Sequence, residues 1–447
     1  MADVVVAGGG MAGLAAAVSC AERGAEVELI EKADEPGGSA ALSGGLVWTE
    51  PTLGRLLERN PLGDEQLNRI LIENYDDSVS WLMDRGVEMS PPMTGLFGTG
   101  RGRRIQPDMK TFVATMLEAA EGAGVKVFTR QSLDSVLLDD AARVRGVRTR
   151  SATGFTERES RGVVLATGGF PANTEMLSRY VSPYADRLYP RCNPMSTGDG
   201  IEAGQRAGAA SSSGMHAFYG HLLPAPPASV EPEDFIALTQ YYSIHCLLVN
   251  KLGERFVDET EADEVNAQAL AKQPDALGFI ILDSRLADRV MAPAADGFPE
   301  VDRHGEIRRV GGRVLEAETL EGLADEISSA GGNGWRTAET VEQFNRLVSV
   351  SPERLPVPRV QRQQPVEEGP FVAVPVTPAV TFTEGGLRID GSARVLDRSG
   401  RPIDGLYAAG GDGGGVYHER YAGGLSLSLV FGRVAGETAA ASLEGAP

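Results

Sequence analysis

The chain opens with a short apolar run (DVVVAG), a glycine turn (GGGMAG), an apolar stretch of helix length (LAAAVSCAERG) and a second apolar run (AEVELIEK). Continuous apolar runs of this length on either side of a turn and a helical segment predict a strand, helix and strand, the start of a doubly wound sheet. Residues 109–129 (MKTFVATMLEAAEGAGVKVFT) predict another helix and strand. Residues 133–166 alternate in short runs broken by turns (LDSVLLDD, RVRGVRTR, GVVLAT), which predicts a small antiparallel insertion. From residue 220 the texture turns to proline and acid (GHLLPAPPASVEPEDF), and residues 247–350 mix strand and helix segments. After a second proline-rich passage, TFTEGGLRID and LYAAGGDGGG return to the strand-and-glycine style of the N-terminus.

This order predicts an α/β chain with a discontinuous Rossmann-type nucleotide domain, residues 1–220 and 366–447, interrupted by an α+β cap at 221–365. Composition sharpens the picture. The chain has 55 glycines in 447 residues with no Gly-X-Y period, against a usual share of about 7%, so the excess belongs in turns and ligand loops. A formal charge of −20 repels phosphate backbones and anionic lipid surfaces, so neither nucleic acid nor membrane is an expected partner. No run reaches the length of a membrane span and the first strand begins at Asp3, which makes the expected compartment the cytoplasm. Cys20, Cys192 and Cys246 are isolated, and His216, His221, His245, His304 and His418 form no metal-binding sequence pair. No metal is expected.

Gly8, Gly10 and Gly13 form GxGxxG between strand and helix, with Glu31 at the end of the next strand. The glycines serve the tight turn, close approach to a pyrophosphate and helix packing, and the carboxylate serves ribose hydroxyls. Three further glycine elements follow: GGSAALSGG (37–45), VVLATGG (163–169) and GLYAAGGD (405–412). A nicotinamide dinucleotide does not need them; FAD, with its ribityl chain and ring system, does. The expected cofactor-binding residues are Gly8, Gly10, Ala12, Gly13, Glu31, Lys32, Gly37, Gly38, Ser39, Ser43, Gly44, Gly45, Ala166, Thr167, Gly168, Asp199, Gly411, Asp412, Ser426 and Leu427.

The order of GGGMAG, EK, GGSAALSGG, VVLATGGF, TGDGIEAGQRAGAA, LLVNKLGERFVDE, VTPAVTFTEGGLRID and GRPIDGLYAAGG resembles the FAD-dependent fumarate reductase and 3-ketosteroid Δ1-dehydrogenase superfamily over nearly the whole chain. The resemblance implies an FAD domain with a mobile cap. Fumarate reductases of that superfamily carry His and Arg anchors for substrate carboxylates in the glycine-bounded turn near the C-terminus. Here GGGVYHERYAGG puts Tyr417 and Tyr421 at those positions, and Asp263 stands at the position of the proton-donating Arg. The stretch is closer to the ketosteroid and tricarballylate dehydrogenase branches, and SGGLVW (43–48) resembles the SGGGxW of ketosteroid dehydrogenases. In that branch a Tyr hydroxyl and a backbone N–H bind the substrate carbonyl and a second Tyr takes a proton. Leu425 replaces the glycine that those enzymes place four residues after the Tyr.

Chemistry supports the same branch. Desaturation removes a proton and a hydride, and the proton is acidic enough only beside a carbonyl whose developing enolate is held by fixed donors. Tyr421 is the expected donor, with hydride passing to flavin N5. Tyr417, His418, Tyr241 and Asp263 complete the expected catalytic set. Tyr242 and His245 accompany Tyr241, and Arg101, Arg103 and Arg104 (GTGRGRR) are candidates to hold a substrate carboxylate. Packing and solvated surface are the alternative roles for each. The second glycine loop has no histidine, so FAD is expected to be non-covalent. No second GxGxxG unit and no CxxCH segment occur, so electrons are expected to leave to oxygen or an external acceptor. The expected activity is α,β-desaturation of a cyclic ketone, a ketosteroid or a smaller ring ketone such as an oxocyclohexanecarboxylate. Reduction of activated C=C bonds, or a mainly structural or electron-transfer flavoprotein, are the alternatives.

Overall fold

The computed structural model describes residues 1–293 and 300–444. The chain forms two compact units: Met1–Met176 with Cys192–Phe218 and Phe382–Pro447, and Leu177–Arg191 with Tyr219–Thr381. The division at 220 and 365 read from the sequence is a different partition, because Leu177–Arg191 and residues 366–381 also belong to the second unit.

The first unit is built on a six-stranded sheet in the order Arg394–Leu396, Pro402–Ala408, Gly162–Leu165, Val4–Ala7, Val27–Ile30, Lys126–Phe128. All neighbours are parallel except the first pair. Val4–Ala7 and Gly162–Leu165 pair in register and are buried throughout. Burial on both faces is why these runs read as continuously apolar rather than alternating. The antiparallel insertion comprises Ser132–Leu138, Val144–Ser151 and Gly154–Glu159. GVVLAT leaves it for the parallel sheet. Its uninterrupted apolar run marks the difference, since VRGVRTRS alternates buried and exposed positions.

The C-terminal helix Gly424–Glu444 packs on the first helix, Met11–Ala21. Small residues permit a close crossing. A Cβ built on Gly432 would stand 2.4 Å from the Ala12 carbonyl oxygen, and one on Gly436 would stand 2.2 Å from that of Ala16. Gly410–Asp412 ends the neighbouring strand connection, so this crossing fixes where the C-terminal glycine elements begin.

In the second unit, Phe371–Thr383 is the central strand. It pairs with Gly278–Leu282, Leu315–Ala317 and Tyr189–Pro190, and Phe218–Pro224 also joins it. Leu247–Asn250 continues the sheet beyond Gly278–Leu282. Leu247, Val249, Phe279 and Ile281 meet Leu323, Ile327, Val341 and Phe344 of two helices in a fully buried core. Among the described residues, no helix is long and apolar enough to cross a membrane.

Gly436→Leu should force the two helices of the first unit apart and destabilise it by at least about 2 kcal/mol. Gly122→Ala is the control: a Cβ there meets nothing within 4 Å, so it should be neutral or stabilising by about 0.4–1 kcal/mol. Thermal unfolding of both variants checks this, and equal midpoints would refute the crossing's role.

Candidate functional site

Three glycine elements of the first unit converge. Gly8 has φ +107°, and a Cβ on it would lie 2.2 Å from the Ala166 carbonyl oxygen. A Cβ on Gly13 would lie 1.8 Å from the Gly8 oxygen, so helix and strand touch through backbone alone. A Cβ on Gly411 would lie 2.8 Å from the Gly168 carbonyl carbon. GxGxxG, the Ala-Thr-Gly turn and the Gly-Gly-Asp turn, far apart in sequence, are one place in the fold.

Gly10 is different. Its φ of −80° and ψ of −171° suit any residue, and its Cβ position meets nothing closer than the Gly37 oxygen at 3.9 Å. Nothing in the protein requires glycine there, whereas a group lying against the helix start does. The Met11–Ala21 helix also has no side-chain cap, so its first N–H groups suit a pyrophosphate. These residues fit FAD.

Around this turn the expected cofactor residues are engaged as follows. Glu31 is buried; one carboxylate oxygen accepts the Gly9 N–H at 2.7 Å and the other the Ala33 N–H at 2.7 Å. It therefore holds the glycine turn in shape, and its remaining lone pairs are what is left for a ribose. Lys32 bonds Thr197 Oγ1 at 2.7 Å and Asp199 at 3.0 Å, bringing that distant pair together. The Gly37 N–H donates to the Gly9 oxygen at 2.8 Å, and Gly38–Leu42, including Ser39, forms one tight helical turn. Ser43 Oγ donates to the Ala40 oxygen and accepts from the Gly45 N–H. The Gly44 oxygen faces Arg104 Nη1 at 3.5 Å.

Asp412 is fully buried. Its carboxylate accepts the Thr167 N–H at 2.6 Å, the Thr167 hydroxyl at 2.9 Å and the Gly169 N–H at 3.0 Å. Burial pushes its pKa up to about 6 even though these bonds favour the charged form. Ser426, also fully buried, directs its hydroxyl at the Trp48 and Gly423 carbonyls. The Leu427 N–H donates to the Gly423 oxygen at 3.2 Å. Ala12, Asp412, Ser426 and Leu427 thus hold protein to protein, with Ala12 under the Gly432 crossing.

The turn from 413 to 424 is clamped from outside. Asn60 and Asn68, both fully buried, donate their amides to the Val416 oxygen at 2.7 and 3.0 Å, and Asn60 Oδ1 accepts the His418 N–H at 3.0 Å. Tyr417 is 1% exposed and its hydroxyl donates to the Gly423 carbonyl at 3.0 Å. Burial drives its pKa well above the usual phenol value. The Tyr417 hydroxyl is thus engaged by the turn itself. Tyr421 is half-buried between Trp48, Phe382 and Tyr417, with ring centroids at 6.1, 6.5 and 5.7 Å. Its oxygen accepts the Gly424 N–H at 2.5 Å, where the C-terminal helix begins. Arg101 and Arg103 lie on the strand Gly100–Gln106, where Arg101 pairs with Asp76 at 2.6 Å and Arg103 donates to the Ser90 carbonyl at 2.8 Å, so both cations are committed to the protein.

The second unit has its own cluster. His221 is 2% exposed; its Nδ1 lies 2.5 Å from Asp263 Oδ2 and its Nε2 2.9 Å from the Tyr219 hydroxyl. Burial, with Arg191 repelling a second positive charge, holds the His221 pKa well below its usual value. The ring is therefore neutral. Since the carboxylate accepts at Nδ1, that nitrogen carries the proton, and Nε2 accepts from the phenol. Glu264 hydrogen-bonds Asp263 side chain to side chain, and burial raises the two to about 7 and about 6. The row runs Glu264, Asp263, His221, Tyr219. Tyr241 stands beside it, 5.1 Å from the His221 ring, whereas Tyr242 pairs with His304 at 3.2 Å and His245 is pushed down to about 4 by burial.

Tyr219, His221, Glu264 and Arg191 are not among the site residues that the sequence pointed to. A lone Tyr and a lone His in AFYGH match no motif, and the alternate spacing of Tyr219 and His221 along one strand face was the signal available.

Residues 3–426 match the model of the family described as FAD binding domain. The chain is 29% identical to a fumarate reductase (cytochrome) of Shewanella frigidimarina, across 98% of this chain and 77% of that one. It is 26% identical to 4-oxocyclohexanecarboxylate 2-dehydrogenase of Sinomonas cyclohexanicum, across 99% and 93%. Among solved structures, 3-ketosteroid-Δ4-(5α)-dehydrogenase of Rhodococcus jostii, in complex with 4-androstene-3,17-dione, superposes with a TM-score of 0.75 at 25% identity, covering 98% of this chain and 96% of that one.

Glu264 tests the buried row through pH. Burial raises its folded pKa to about 7, above the ordinary 4.5, so its contribution to stability is present below pH 4.5 and lost as pH rises through 7. Glu264→Gln keeps a donor toward Asp263 and removes that ionisation. The variant should melt higher than wild type at pH 8, with the difference shrinking toward pH 5. A difference independent of pH would contradict the assignment.

Proposed function

Because the chain belongs to the FAD binding domain family and is an FAD-dependent oxidoreductase, we propose that it introduces an α,β double bond beside the carbonyl of a cyclic ketone. The substrate class is a ketosteroid or a smaller ring ketone such as an oxocyclohexanecarboxylate. The observation that carries this reading is the Tyr421 hydroxyl accepting the Gly424 N–H at 2.5 Å. A hydroxyl that accepts a backbone N–H is held in one orientation, and accepting polarises its O–H. The helix start beneath it favours negative charge. A carbonyl oxygen becoming an enolate is the partner these features suit.

Desaturation removes one α-proton and one β-hydride from a CH–CH unit. FAD, when bound, supplies the acceptor for the hydride. Gly8, Gly10, Gly13 and the Glu31-held turn cradle it, with the 37–45 loop and the 166–168 and 410–412 turns. No histidine in the 37–45 loop can attach it, so it is held non-covalently. A general base accepts the α-proton. Electrons leave to an external acceptor or oxygen.

Tyr417 and Tyr421 stand where fumarate reductases of this superfamily use His and Arg, and neutral phenols give no cation to a dicarboxylate. The likenesses to an oxocyclohexanecarboxylate dehydrogenase and to a ketosteroid dehydrogenase support a ketone.

Anaerobic mixing of the oxidised enzyme with ring ketones should bleach the flavin. Failure of every ketone, together with reoxidation of the reduced enzyme by fumarate or another enoate, would overturn the reading in favour of C=C reduction. With a ketone that bleaches wild type, Tyr421→Phe should slow bleaching by about a hundredfold to a thousandfold, one enolate donor being lost, while FAD stays bound. A rate within about threefold of wild type, under 1 kcal/mol, would remove Tyr421 from the chemistry.

A further inference from the structure

Beside the tyrosine turn lies a group of side chains that the proposed chemistry does not use. His216, His418 and Glu419 each bring one ligand atom within 4.8 Å of the others. His216 Nε2 and Glu419 Oε1 are 3.0 Å apart, and the two imidazole rings meet edge to face at 5.2 Å. His216 and Glu419 are 203 positions apart in sequence, which is why no motif spacing announces the group.

We infer that His216, His418 and Glu419 form a binding site for a divalent transition-metal ion of the zinc class. Two imidazoles and a carboxylate are a borderline donor set that suits Zn²⁺, Co²⁺ or Ni²⁺ and not Mg²⁺ or Ca²⁺, which take oxygen ligands. Ligands at about 2.0–2.1 Å in tetrahedral array stand roughly 3.4 Å from one another. The observed separations, 3.0 Å for one pair and at most 4.8 Å for all, need only side-chain rotations to reach that figure. Three protein ligands leave a fourth position for water.

Two further observations point the same way. His418 Nδ1 is shielded from solvent with no hydrogen-bond partner among the described residues, a state that costs stability unless something binds there. Glu419 adopts φ +65°, a left-handed conformation unusual for a residue with a Cβ, and its N–H is pinned by the Glu384 carboxylate at 2.5 Å. The chain spends strain to set the Glu419 carboxylate beside His216. Since the Asn60 amide oxygen also holds the His418 N–H, an ion here would brace the turn that carries Tyr417 and Tyr421.

The test uses the full FAD-loaded chain, stripped of metal and titrated with Co²⁺. One equivalent should produce ligand-field bands beyond the flavin absorption, Zn²⁺ should displace them and raise the melting temperature, and Mg²⁺ should do neither. His216→Gln and His418→Gln, checked for retained flavin colour and wild-type melting without metal, should each weaken Zn²⁺ binding in equilibrium dialysis by at least about tenfold, the loss seen even for outer-shell changes. Zn²⁺ binding unchanged in both variants, or no binding to wild type, would overturn the inference and leave His216 and Glu419 as a surface ion pair. Neither result depends on the substrate being a ketone.

Discussion

One buried carboxylate holds the first unit's site together. Asp412 takes two backbone N–H groups and a hydroxyl from Thr167 and Gly169, joining the ends of two adjacent parallel strands, Gly162–Leu165 and Pro402–Ala408. It lets the chain fold back on itself at Gly411 without a side chain between the backbones. The crowded contacts of Gly8 and Gly13 close the same region from the other side. Of Gly8, Gly10 and Gly13, Gly10 alone leaves room for a Cβ, its nearest neighbour being the Gly37 oxygen at 3.9 Å.

From Asp412 the chain passes directly into the tyrosine turn. Asn60 and Asn68 fix its Val416 carbonyl, and the C-terminal helix starts at Gly424. A phenol in such a turn is pre-organised: Tyr417 locks the loop through the Gly423 carbonyl, and Tyr421 is left oriented by the Gly424 N–H. The two residues are alike in sequence and differ in burial and hydrogen bonding. In the second unit, burial keeps His221 neutral, with Asp263 on its Nδ1 and the Tyr219 hydroxyl on its Nε2.

Much of the scaffold was legible because its signals are local. The unbroken VVVA and GVVL runs, GxGxxG between strand and helix, and the repeated glycine turns each follow from backbone sterics acting over a few residues. GVVLAT was misplaced into the insertion because its four apolar residues could not reveal which sheet they would join. The Tyr219, His221, Asp263 row was not legible, since it joins one strand face to a helix 42 positions away. The uses of Glu31, Asp412 and Ser426 as ties within the protein were equally hidden: a motif names a carboxylate or a hydroxyl and does not say which N–H reaches it first.

In the proposed reaction Tyr421 donates to a substrate carbonyl. This donation is tested most directly by the vibrational frequency of that carbonyl, carbon-13 labelled, in an enone product bound to the oxidised enzyme, where no turnover follows. The C=O stretch should be lower than in water, because an oriented donor polarises the bond, and should return toward the water value in Tyr421→Phe. A bound carbonyl whose frequency is the same in wild type and Tyr421→Phe would contradict it.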